Sequence, residues 1–166
     1  WISNYEESLV YRYKLDNSFD SLITFTGVQD PRDIVPDPFE GGCWIATKAG
    51  ITLIVNDGSI SVYKDSLDIK DISLNAVNGD CYYVGKNSNT SQWETGRLIK
   101  QESMHDEIIL GNDYPYLHSI QVVPGQGPSG FLVSQAYAWK LLRFDYQWKK
   151  IGTMTGFNAR LDFALE

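Results

Sequence analysis

Apolar residues along the chain come in short runs interrupted by polar turns, and the runs recur in sets of four. Four strand starts open the sets: Trp1-Ile2-Ser3, Trp44-Ile45-Ala46, Tyr82-Tyr83-Val84 and Phe131-Leu132-Val133. Their spacing of roughly 40 residues suits a four-stranded propeller blade, and also some paired-helix repeats. The local pattern decides for strands. A second β-rich run follows each start, at Leu9–Tyr13, Ile51–Val55, Arg97–Lys100 and Lys140–Phe144. A third run, at Leu22–Phe25, Ile60–Tyr63, Glu107–Leu110 and Trp148–Ile151, closes a hairpin. Asn56-Asp57-Gly58 is strong hairpin chemistry, because Gly58 can take the positive φ that such a turn demands. A fourth run, at Asp33–Pro36, Ile72–Val77, His118–Val123 and Arg160–Ala164, leads into a corner rich in Gly or Pro. No stretch of a dozen residues keeps a 3.6-residue apolar period between caps, so helix should be scarce.

The segment from Asp30 to Thr47, with its Asp-Pro-Arg-Asp-Ile-Val-Pro-Asp run and its Gly41-Gly42-Cys43-Trp44-Ile45-Ala46, resembles the core of NHL-type propeller repeats. Cys43–Thr47 with Gly50-Ile51 is also similar to the sensor propellers of two-component regulators. The resemblance implies that the fourth run of each unit is the innermost strand of the next blade. The expected fold is therefore all-β, a β-propeller of four blade-like units starting near residues 1, 43, 81 and 130. Residues 1–166 form a single domain or segment, either a closed ring or a slice of a larger propeller.

Composition narrows the functional classes. Lys and Arg total 14 against 21 Asp and Glu, a net charge of −7, which disfavours a nucleic-acid surface. No apolar run is long enough to cross a bilayer as a helix, so no membrane insertion is expected within this chain. Trp1 in place of Met leads us to expect a processed chain or an excised segment. Two cysteines and two histidines make neither a disulfide scaffold nor a metal centre, and no metal or cofactor is expected. Cys43 and Cys81 precede strand starts in successive units, so they should be buried, separate and free. Gly125-Gln126-Gly127-Pro128-Ser129-Gly130 has dinucleotide-fingerprint spacing, but a strand-like run follows where a helix N-terminus is needed. Asp65, Asp68 and Asp71 read as a solvated acidic connector, since the Gly turn and bidentate Glu of a calcium loop are absent.

Two sets of residues carry candidate chemistry. Arg32, Asp33, Asp71, His118, Arg160 and Asp162 start the expected innermost strands, with Ser73 and Ser119 beside them. In a propeller these positions ring one mouth of the central channel, where Arg forks can meet an anionic or zwitterionic ligand. Among them Arg32, His118 and Arg160 are the expected basic groups. Arg32 could instead pair with Asp33 or Asp37 and only hold a corner. Trp93, Tyr114, Tyr116 and Tyr137 fall in expected loops, a placement that suits a partner-binding surface. The leading expectation is a non-catalytic interaction or scaffold module, with no catalytic residues, that binds a protein or glycan. Further propeller blades or neighbouring subunits are alternative contacts. A membrane receptor's sensory propeller, a virion attachment or tail component, and a propeller lyase or hydrolase are the rival readings.

Overall fold

The computed structural model describes residues 1–13, 22–99, 105–110, 114–123 and 130–156. Among them there are 15 strands and no helix. The first sheet holds β1 (Ile2–Asn4), β2 (Leu9–Tyr13) and β3 (Leu22–Phe25). The second holds β4 (Pro31–Pro36), β5 (Cys43–Thr47), β6 (Gly50–Ile54) and β7 (Ile60–Tyr63). In the third are β8 (Leu67–Leu74), β9 (Cys81–Asn87), β10 (Trp93–Ile99) and β11 (His105–Leu110). The fourth comprises β12 (Leu117–Val123), β13 (Gly130–Gln135), β14 (Lys140–Asp145) and β15 (Lys150–Met154). Each sheet is an antiparallel meander in chain order, which makes it one blade of a β-propeller.

The strand closing each apparent sequence unit does join the next sheet, as β4, β8 and β12 do. Ile34 pairs with Ile45, Ile72 with Tyr83 and Ile120 with Val133, so these three isoleucines are structurally equivalent. In the fourth blade this register shifts the strand start by one residue, so that Leu132 matches Trp44 and Tyr82. The stretch expected to be an acidic connector is also different in the structure. Asp68 and Asp71 lie within β8, which begins at Leu67 and not at Ile72.

Alternation along the inner strands explains the stacking, because both sheet faces are apolar. Cys43 and Ile45 of β5 face the first blade, in a cluster with Val10, Phe25, Val28 and Ile54. Trp44 and Ala46 face the third blade and meet Leu67, Ile69, Cys81 and Tyr83. Tyr82 and Val84 then turn to the fourth, against Ile120, Phe131, Val133 and Phe144. Three apolar layers thus glue four sheets, and every residue of β5 and β6 is buried. Corners repeat as well. The Asp37 carboxylate accepts the Phe39 and Glu40 amides, while Asn75 takes the Val77 amide at the equivalent corner. Gly42, entering β5, is required sterically, since a Cβ there would lie 2.0 Å from the Ile54 carbonyl oxygen.

Trp44 is fully buried between two blades. Trp44→Ala should therefore cost about 3–5 kcal/mol in urea unfolding. Tyr137, 75% exposed, should cost under about 0.5 kcal/mol on the same truncation. Similar midpoints for the two variants would contradict the inter-blade core.

Candidate functional site

The innermost strands carry a shared irregularity near their starts. Pairing skips Arg32 between Pro31 and Asp33, and it skips Lys70 between Ile69 and Asp71. In β12 the shift falls between Leu117 and Ile120, across His118 and Ser119. A basic or imidazole side chain, then Asp or Ser, then Ile, therefore recurs at three equivalent bulges. Bulges re-aim side chains and free backbone groups from the ladder. The next blade's amide takes up the slack. The Asp33 carboxylate accepts the Ile72 N–H at 3.2 Å, and the Asp71 carboxylate accepts the Ile120 N–H at 2.7 Å. Two positions along, Ser73 Oγ accepts the Val122 N–H at 3.0 Å.

These bulges open onto a cleft of about 480 Å³, whose lining includes Arg32, Asp33, Lys70, Asp71, Ser73, His118 and Gln121. The structure brings four of the six expected ligand residues together there: Arg32, Asp33, Asp71 and His118. Arg160 and Asp162 lie outside the described residues. Lys70 was missed by the sequence reading, although it occupies the same bulge as Arg32 and His118. Arg32 pairs across the blades with Asp68, not with Asp33 or Asp37, and its guanidinium also reaches the Ile69 carbonyl at 3.3 Å. The other Asp68 oxygen accepts Lys70 Nζ at 2.5 Å. His118 Nδ1 lies 2.8 Å from Ser119 Oγ.

Of the four expected loop aromatics, three form one cluster. The Tyr116 and Tyr137 rings meet edge to face at 4.7 Å, and Trp93 stands 6.2 Å from Tyr116. Trp93 opens β10 and is not in a loop. Tyr114 instead packs edge-on against Phe144 at 6.1 Å, as part of the apolar layer. Tyr116 is half-exposed and holds φ at 62°, left-handed backbone that a bulky aromatic rarely adopts. Both cysteines are buried and free. Burial pushes the Cys43 thiol to about 12 and Cys81 well above its ordinary value, so neither is a nucleophile. Of the dinucleotide-like run, residues 125–129 lie outside the described residues, and Gly130 opens a strand, not a helix.

The fold defines the protein as a β-propeller. No family model matches the chain, and no curated protein does. Solved structures do. A streptogramin B lyase shares 15% identity at a TM-score of 0.70, over 93% of this chain and 50% of its own. A catalytically inactive virginiamycin B lyase from Staphylococcus aureus, solved with quinupristin, gives 16% and 0.69, over 91% and 50%. A nidogen/laminin complex gives 14% and 0.61, over 90% and 60%. The chain thus spans about half the length of these lyases. At such identities the likeness is one of fold.

Burial, and next the Asp33 carboxylate beside it, push the Asp71 carboxyl up to about 8. Arg32, Lys70 and Asp68 are the other charges around this pair, with His118 also on the cleft. A raised folded-state value means that folding holds a proton which the unfolded chain releases near 4. The stability from that proton is complete below about pH 4, declines as pH rises, and is gone above about pH 8. Melting temperature should fall across that window. Asp71→Asn, whose amide can still donate to Asp33 and whose carbonyl can accept Ile120, should flatten the decline. An unchanged slope in the variant would rule out the shared proton.

Proposed function

We propose that this chain is a non-catalytic propeller interaction module that holds a protein partner against the Trp93–Tyr116–Tyr137 patch. The observation that carries the reading is the exposed aromatic cluster itself. Tyr116 is 49% and Tyr137 75% exposed, yet their rings are already packed on each other. Preorganised aromatic area of this kind binds at low entropic cost and is enriched in interface hot spots. The turn from Ala136 to Trp139 and the segment before β12 present it, and Gln135 Nε2 ties them together by donating to the Pro115 carbonyl at 2.9 Å. Fold likeness to a nidogen/laminin complex supports a binding role.

One observation favours a second reading, a propeller lyase. Burial and the neighbouring Asp33 carboxylate push the Asp71 carboxyl up to about 8 on an open cleft, the direction a general acid needs. Incubation with quinupristin separates the two, and under the binding reading the compound stays intact.

A photo-crosslinker at position 137 should capture a partner that one at Val62, on the outer strand of the second blade, does not. A Tyr116→Ala/Tyr137→Ala double variant should then weaken that partner at least roughly tenfold with melting unchanged. Equal capture at both positions, or unaltered affinity, would overturn the patch. Release of the partner by deglycosylation would make the surface a glycan reader instead.

A further inference from the structure

We propose that the bulge-lined cleft binds an acidic sugar, a hydroxylated ring bearing one carboxylate. This inference is independent of the protein-binding patch, since none of Trp93, Tyr116 and Tyr137 lines the cleft. Its basis is three chemistries brought to one place. The first is cationic. Arg32 and Lys70 both pair with Asp68 at the rim, in front of the Asp33–Asp71 pair. Arg32 reaches both Asp68 and the Ile69 carbonyl through Nη1, and a guanidinium carries further N–H donors in a fork that suits a carboxylate. His118 adds a ring nitrogen beside them.

The second is a polar floor. Asp33, Asp71, Ser73 and Gln121 line the cleft behind the rim. Ser73 Oγ accepts from Gln121 Nε2 at 3.2 Å, leaving its own proton and the Gln121 carbonyl for a ligand. An aliphatic carboxylate would strand these groups against hydrocarbon, at a cost that hydroxyls avoid. The third is a flat apolar wall. Tyr5, in the turn between β1 and β2 and 54% exposed, joins Pro31, Arg32, Lys70 and His118 around an adjoining opening of about 410 Å³. An aromatic face there can cover the C–H face of a pyranose while the carboxylate sits on the basic rim. The cleft has the size of a small-ligand site.

Chemical-shift titration of the chain with glucuronate, glucose and acetate tests the assignment. Glucuronate should bind about tenfold more tightly than either control, because glucose lacks the charge and acetate lacks the ring. Lys70→Met and Arg32→Lys should each weaken glucuronate about tenfold, and Tyr5→Ala should weaken glucuronate while leaving acetate unchanged. Tyr5 is a surface residue, so its variant keeps the test valid if Arg32→Lys disturbs the blades. Tyr137→Ala should leave glucuronate binding unaltered. Equal affinity for glucuronate and glucose, equal affinity for glucuronate and acetate, or no binding of glucuronate would each overturn the proposal.

Discussion

A carboxylate on one innermost strand accepting a backbone N–H from the next sets the geometry on which the rest of this propeller depends. Apolar layers supply the bulk of the cohesion, but a hydrophobic layer is non-directional and leaves neighbouring sheets free to slide. The Asp33–Ile72 and Asp71–Ile120 bonds are directional, and they fall at the same register in successive blades. They fix the height at which each blade meets its neighbour. Each innermost strand is the edge of its sheet, so alternate amides point away from its own ladder, and the bulges sit beside the Ile72 and Ile120 amides that bond sideways.

The candidate site is a by-product of that same device. A bulge also turns the preceding side chain outward, and at all three bulges that side chain is Arg, Lys or His. Arg32 then reaches the third blade through Asp68, so the ion pair and the amide bond clamp the same junction. Two acids close enough to share a proton are an electrostatic liability in a purely structural role. Both lie beside the open cleft.

Much of the architecture was legible in the sequence. Period and strand character follow from Trp44, Tyr82 and the corners at Gly41-Gly42 and Asn78-Gly79, whose chemistry is local. The offset between sequence units and blades came from the resemblance to NHL-type repeats. Lys70 was not legible, because the run from Asp65 to Asp71 is charged at four of seven positions and reads as a solvated link. In the structure that charge is neutralised laterally by Arg32, 36 residues away, which periodicity cannot display. Aligning Arg32-Asp33-Ile34 with Lys70-Asp71-Ile72 and His118-Ser119-Ile120 would have exposed it. Tyr114 went astray for a related reason: a polar, Pro-containing context marks a loop, but not which of its aromatics folds back on Phe144.

Residue-resolved amide hydrogen exchange tests the inter-blade bond most directly. The account predicts that the Ile72 and Ile120 amides exchange as slowly as those of the buried strand β5, through global unfolding alone. Exchange of either amide at the rate of the exposed hairpin residues Asn89 and Thr90 would contradict it.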